Sequence, residues 1–327
     1  MRKLVLWFAA LFVVLVFTPS SFAMGHGESE RAIVLASFGT SYPAALKGIL
    51  NITKEVEKAF PGVTVRMAFT SDIIRGIWEK RRGDEEFFSE HKDIPREIAY
   101  VKGPLATIAD LQDGGYRTII VQPTHIYSGE EYTDLASCVA GLNSIKTIKP
   151  RYRPFEKLVL SRPLLGTWGD QHDYHGDLEA VAEILAEDVA EAREKGAALV
   201  YMGHGNEFYS TGAYIEFQQV MRRRYPDVPV FVGTVEGFPS LDDVVSGLVS
   251  HGVKVALLKP FMIVAGDHAR NDMAGDDEES WKNVISKKGI RIITRLEGLG
   301  EKPGIARTFV RYIRETAEDN GVSLGNE

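Results

Sequence analysis

The stretch Val253–Asp272, VKVALLKPFMIVAGDHARND, decides how the chain is read. It begins as an apolar run, Val255–Leu258, leaves it through Lys259–Pro260 and ends on Gly266–Asp267–His268. An apolar strand that breaks at Pro and Gly and then presents a carboxylate and an imidazole describes a site at a strand's C-terminal edge, where ligands sit in open α/β sheets. Two other stretches repeat the form. ALVYMGHGN (198–206) runs into His204 between two glycines, and VPVFVGTVEGFP (228–239) runs into Glu236 beside Gly237. His, Glu and His at the same end of three consecutive strands make a candidate metal-ligand set.

Outward from these stretches the chain alternates strands and helices. Strands are expected near 32–37, 63–69, 118–124, 157–161, 197–202, 229–235, 253–264 and 290–294. Helices are expected over 42–59, 72–79, 95–113, 130–144, 175–194, 210–224, 239–250, 276–287 and 302–319. Apolar strands without a two-residue alternation, separated by helices, predict parallel sheets covered on both faces. The chain also reads as a duplication. TIIVQPTHIYSGEEYTDL (118–135) aligns without a gap on VALLKPFMIVAGDHARND (255–272). Gln122–Pro123 then falls on Lys259–Pro260, Gly129 on Gly266, Glu130 on Asp267 and Glu131 on His268. IVLASFGTS (33–41) parallels LVYMGHGN (199–206) in the same way. The expectation is two similar α/β domains, 30–150 and 160–320, with strand ends facing a shared cleft, since domain junctions favour ligand sites.

The N-terminus has a different character. Arg2 and Lys3 precede a 14-residue apolar run, Leu4–Phe17, and small residues follow at Ser21 and Ala23. This pattern reads as a secretory signal peptide, residues 1–23, and the run is shorter than the roughly 20 residues of a spanning helix. The mature protein is therefore expected in the periplasm and not as an integral membrane protein. The composition, 44% hydrophobic and 25% charged, suits a globular α/β chain. A net charge of −7 argues against a nucleic-acid binder, which needs a basic face. Cys138 is the single cysteine, so no intrachain disulfide and no cysteine metal cage can form; its apolar setting, LASCVAGL, predicts a buried thiol. The turn SFGTSY (37–42) has neither GxGxxG nor GxxxxGK[ST], and no nucleotide cofactor is expected.

GHG at 203–205, TVEG at 234–237, AGDHARNDMAGD at 265–276 and QPTHIYSGEEY at 122–132 resemble the anaerobic sirohydrochlorin cobaltochelatases, in the class II chelatase family. The resemblance covers nearly all of the chain after residue 30, and its match is to an exported form. It implies two Rossmann-like domains with parallel sheets and a planar tetrapyrrole bound in the cleft between them. It also implies a metal held by His204, Glu236 and His268.

The residue types suit that chemistry in their own right. Inserting a metal into a tetrapyrrole needs an ion held loosely enough to be released, a base for the pyrrole N–H protons and a grip on the ring. Two imidazoles and a carboxylate form an open site suited to Co²⁺, and also to Fe²⁺ or Ni²⁺. The imidazoles must be neutral to bind, so affinity is expected to fall as pH drops towards about 6. Each candidate has an alternative use. Glu236 also suits the N-terminus of the helix near Pro239. His268 also suits a pairing with Asp267 or Asp272, and these two carboxylates suit the orientation of a metal-bound imidazole. Glu130 and Glu131 are candidate proton acceptors or helix caps. His125, just past the strand end, is a candidate haem ligand or a hydrogen-bonded strand-end histidine. Arg270 suits a substrate carboxylate or a surface ion pair. Ser37, Gly39 and Thr40 form a capped turn that also suits a carboxylate arm of the substrate.

Tyr42, Phe38, Trp78, Phe208, Tyr209 and Tyr214 are candidates for walling the ring, and core positions for aromatics are the commoner use. His172 and His175 form an i, i+3 pair in GDQHDYHGD, and His26 falls in the expected tail. The alternative function is a periplasmic haem or metallo-tetrapyrrole carrier on the same scaffold, using His125 or His91. A solute-binding protein also has two α/β lobes, but it does not account for His and Glu gathered on one of them. No heptad pattern sets an oligomeric state; a homo-oligomer is the working expectation.

Overall fold

The computed structural model describes residues 30–169, 171–208 and 211–325. The expected signal peptide, His26 and Tyr209 lie outside the described residues. The first half contains β1 (Arg31–Ser37), α1 (Leu46–Ala59), β2 (Thr64–Phe69), α2 (Asp72–Lys80), α3 (Glu85–Glu90), α4 (Pro104–Asp113), β3 (Thr118–Pro123), α5 (Glu130–Asn143) and β4 (Lys157–Leu160). The second contains α6 (Tyr174–Ile184), α7 (Ala186–Glu194), β5 (Ala198–Gly205), α8 (Gly212–Arg224), β6 (Val230–Glu236), α9 (Leu241–Ser250), β7 (Val255–Pro260), α10 (Trp281–Ser286), β8 (Arg291–Thr294) and α11 (Pro303–Asp319).

Each half builds one four-stranded parallel sheet, in the orders β2-β1-β3-β4 and β6-β5-β7-β8. The two orders are equivalent, as the duplication requires. Register agrees as well: Ala36 pairs with Pro123, and Met202 pairs with Pro260. The next amides, of Thr124 and Phe261, donate to the carbonyls of Ala36 and Met202 at 2.8 and 2.7 Å. β1 and β3 are buried almost throughout, because helices cover both faces of the sheet.

Several boundaries differ from the sequence reading, four of them near the site or at helix breaks. β7 stops at Pro260, which cannot donate to the ladder. The helix expected over 95–113 is split. Arg96–Tyr100 is a 3₁₀ turn, and α4 restarts at Pro104, because the residue before a proline resists the helical region. The helix expected over 175–194 breaks at Leu185. The helix expected from 276 begins only at Trp281, where the Ser280 hydroxyl caps it. Between β7 and α10 lies a single π-helical turn, Ala269–Met273, directly after His268; such turns recur at functional sites.

One hydrophobic core runs through both halves, joining Ile33 and Leu35 of β1 to Leu199 and Tyr201 of β5. The C-terminal helix makes the join. α11 leaves the second sheet and packs on α1 and β3, with Ile305, Phe309 and Ile313 fully buried. The Tyr312 hydroxyl donates to the carbonyl of Leu164 at 2.8 Å. Among the described residues no helix is long and apolar enough to cross a membrane.

Candidate active site

The C-terminal ends of β1, β3, β5 and β7 converge on a cleft of about 990 Å³. Phe38, Tyr42, His125, Glu131, His204 and His268 are among its walls.

His204 and His268 meet here, their ring centroids 4.8 Å apart and their planes at 80°. An imidazole centroid stands roughly 3 Å from an ion ligated at about 2.1 Å. Two rings sharing an ion at right-angled to tetrahedral directions are therefore roughly 4.5–5 Å apart, which the observed spacing satisfies. Their hydrogen bonds agree. Nδ1 of His204 lies 2.8 Å from the carbonyl of Gly205, and Nδ1 of His268 lies 2.5 Å from Oδ2 of Asp272. A carbonyl and a carboxylate oxygen accept, so in each ring Nδ1 donates, the arrangement that orients a metal-bound histidine. Gly205 takes φ +74°, and a side chain there would collide with the carbonyl of Glu236, so this turn needs glycine. Gly39, its counterpart in the first half, has φ +98°. The counterpart of His204 is Phe38, whose ring lies 6.3 Å from it across the cleft. The first half therefore has no imidazole at the matching position.

Glu236 stands at the neighbouring strand end, apart from the imidazole pair in this structure. Its backbone lies beside Gly205, in register on β6, but its side chain is exposed. Among the described residues no three His, Cys, Asp or Glu side chains stand together as a metal-binding group. The expected three-ligand set is here an imidazole pair with a carboxylate at the next strand end. Glu130 and Glu131 open α5, and only Glu131 lines the cleft; Glu130 is exposed. Asp272 takes the orienting role expected of it, whereas Asp267 accepts the hydroxyl of Tyr42 instead.

His125 is 9% exposed and lines the cleft, yet among the described residues neither ring nitrogen has a hydrogen-bond partner. The sequence alternative of a hydrogen-bonded strand-end histidine is not what forms. Burial pushes its pKa down to about 4, so the ring is neutral. Between that value and the ordinary 6.5 the unfolded chain binds more protons than the native one. Native stability therefore falls as pH drops through this window, by roughly 2 kcal/mol between pH 7 and pH 5. His125→Leu removes both the unpaired nitrogens and this linkage. Urea midpoints at the two pH values should show a variant that is no less stable at pH 7 and loses roughly 2 kcal/mol less than wild type at pH 5.

The first turn is braced. Ser37 accepts the Thr124 hydroxyl at 2.8 Å, and the Thr40 carbonyl accepts the Trp78 indole N–H at 2.8 Å. Ser37, Gly39 and Thr40 all line the cleft. Arg270 lies 5.3 Å over the ring of Tyr42 and donates Nε to the carbonyl of Ala265 at 3.3 Å, with no carboxylate in ion-pair range among the described residues. Trp78 is core, Phe208 is exposed and Tyr214 lies under the floor. Cys138 is half-buried, less enclosed than its apolar neighbours suggest. His172 and His175 serve other partners: His172 bonds Asp319 of α11 at 2.7 Å, and His175 lies against Trp168. His91 lies against the ring of Phe87, tilted at 52°, and does not line the cleft. The sequence reading missed Tyr127, a buried phenol of the first half that accepts the side-chain amide of Asn206. Burial, with Glu131, Glu130 and Glu236 nearby, pushes its pKa up to about 12.

Residues 31–318 match the family model described as cobalt chelatase (CbiK). A sirohydrochlorin cobaltochelatase of Salmonella typhimurium is 30% identical over 287 residues, covering 88% of this chain and 96% of that protein. Sirohydrochlorin cobaltochelatase CbiKC of Nitratidesulfovibrio vulgaris is 30% identical over 285 residues, covering 87% and 90%. Among solved structures, the sirohydrochlorin chelatase SirB of Bacillus subtilis subspecies spizizenii, in complex with cobalt, superposes with a TM-score of 0.54 at 12% identity, covering 89% of this chain and 97% of that one. That likeness is one of fold. With the match running across both halves and the imidazole pair at their junction, the chain belongs to the CbiK cobalt chelatase family.

Proposed function

We propose that this protein inserts Co²⁺ into sirohydrochlorin in the cleft between its halves. The observation that carries the reading is the His204–His268 pair, with both Nδ1 atoms engaged and both Nε2 atoms left for an ion. Glu236, one strand over and exposed, supplies the third, movable donor. Three donors leave positions open, so the ion can pass to the ring nitrogens. As Co²⁺ enters, two pyrrole N–H bonds break and two protons leave. Glu131, lining the cleft, accepts them in turn and passes them to solvent, and Glu130 beside it adds negative charge at the same helix start. Arg270, with no carboxylate in ion-pair range among the described residues, and the Ser37–Gly39–Thr40 turn grip the carboxylate arms of the substrate.

Asp272 holds the ring of His268, and such partners are worth about 10- to 100-fold in metal affinity. Asp272→Ala is therefore expected to weaken Co²⁺ binding by about that factor, read in an anaerobic titration. Fe²⁺ and Ni²⁺ suit the same donors. Anaerobic metallation of sirohydrochlorin with the three ions, followed by absorbance, ranks them; no metallation with any of them refutes the proposal.

A haem-carrying role is the second reading, and the unpartnered imidazole of His125 in the cleft favours it. It requires a Soret band in the protein as purified that His125→Ala removes. We further propose export, on the basic start and short apolar run of residues 1–23. The N-terminal sequence of the protein recovered from the periplasm tests that.

A further inference from the structure

Both imidazole-bearing turns belong to the second half, yet each is tied to a tyrosine of the first. The Tyr42 hydroxyl donates to Oδ1 of Asp267, the residue before His268, at 2.7 Å. The same oxygen accepts Nδ2 of Asn271 at 2.9 Å, and Arg270 lies over the Tyr42 ring. The Tyr127 hydroxyl accepts Nδ2 of Asn206, two residues after His204. Tyr127 is itself buried and packs edge-on against Tyr214, the ring centroids 5.0 Å apart.

These turns need bracing. Beyond the Phe261 amide, which donates to the Met202 carbonyl, β5 and β7 are no longer paired with each other; His204 stays laddered to β6 alone, and His268 lies past the end of β7. The spacing of the two rings is therefore not fixed by the β5–β7 ladder. Two cross-cleft hydrogen bonds, one per imidazole, supply what the sheet does not.

We infer that Tyr42 and Tyr127 are positioning residues for the metal pair, so that the first half sets the spacing of His204 and His268 although it contributes no imidazole to the pair. The inference rests on the reading of that pair as the holder of the metal substrate. Neither tyrosine touches the ion; each acts through a neighbour of a ligand. A pair held at the right spacing before the ion arrives binds it without the cost of adjusting that spacing on binding.

The test uses Tyr42→Phe and Tyr127→Phe in the full-length protein, which keep the rings and remove only the hydroxyls. Anaerobic Co²⁺ titration without tetrapyrrole, and initial rates of sirohydrochlorin metallation against Co²⁺ concentration, are both read. Each lost bond is expected to raise the Co²⁺ Kd and KM by about three- to tenfold. At saturating Co²⁺, kcat is expected to stay within about twofold of wild type, because only ground-state holding of the ion is weakened. Asp267→Ala breaks the Tyr42 bond from its other end. It should produce the same rise, and adding Tyr42→Phe to it should produce no further one. Unchanged Co²⁺ affinity in both tyrosine variants, or a loss confined to kcat, overturns the inference. His204→Ala is run alongside. If it lowers Co²⁺ affinity and the tyrosine variants do not, the positioning role alone falls; if it too has no effect, the metal reading falls with it.

Discussion

Alanine at His204 or at His268 is expected to lower the rate of Co²⁺ insertion into sirohydrochlorin by at least about 100-fold, a barrier increase of roughly 2.7 kcal/mol. The size follows from how few donors the site has. A closed four-ligand cage keeps most of its hold when one ligand goes. An open site of two imidazoles and one exposed carboxylate keeps a single fixed donor. The surviving histidine would retain its Nδ1 partner, Gly205 or Asp272, and so its orientation. What it loses is the second Nε2 that defines a common point 4.8 Å-spaced rings can share. The two single variants should be about equally impaired. The double variant should be little worse than either, since groups that act as a unit are not additive. Rates are measured anaerobically against Co²⁺ concentration, with circular dichroism confirming the fold. A variant that keeps more than about a tenth of the wild-type kcat/KM excludes that histidine from the metal site.

The largest effect on stability is expected at Asp188, on α7. Its carboxylate is 1% exposed. Oδ1 accepts Nζ of Lys259 at 2.6 Å and Nζ of Lys302 at 2.9 Å, and Oδ2 accepts the Tyr201 hydroxyl at 2.7 Å. Burial alone would raise its pKa, but the two ammonium groups more than offset that and hold it below the ordinary carboxylate value. Asp188→Ala takes the acceptor from the Lys302 ammonium and the Tyr201 phenol and leaves the buried Lys259 ammonium with only the longer contacts to Glu297 at 3.4 Å and Glu191 at 3.9 Å. Breaking a buried pair in this way costs about 3–5 kcal/mol, against only 5–15 kcal/mol of total stability for an ordinary domain. The consequence reaches the site. Lys259 immediately precedes Pro260, where β7 ends and the His268 segment begins, and Lys302 immediately precedes α11, which joins the halves. Chemical denaturation should show the midpoint falling sharply. A change below about 1 kcal/mol would mean that water reaches and solvates the two lysines.

The parallel sheets, the duplication and the placing of the two histidines at strand ends were legible because each rests on a local signal. Apolar runs ending in Pro and Gly mark buried strand ends. The ungapped match of 118–135 on 255–272 places Pro123 and Pro260 in equivalent pairs, where the two sheets put them. Other features rest on contacts that local patterns do not encode. Tyr42 and Asp267 are 225 residues apart, and only the folded halves bring them together. Glu236 is at the right strand end, but a strand end does not determine where an exposed carboxylate points. The missing partners of His125 are a property of its surroundings, since its neighbours Thr124 and Ile126 give no hint of them. The crossing of α11 onto the first half was hidden for a similar reason: its buried stripe of Ile305, Phe309, Tyr312 and Ile313 fits either sheet equally well in sequence. A pattern of that kind states that a face is covered and leaves open what covers it.

Anomalous scattering at the cobalt edge, from crystals of the protein soaked anaerobically with Co²⁺, examines the metal pair directly. The expected result is one strong peak about 2.1 Å from Nε2 of both His204 and His268, with the Glu236 carboxylate turned towards it. Cobalt bound elsewhere in the cleft, or touching only one of the two imidazoles, would contradict it.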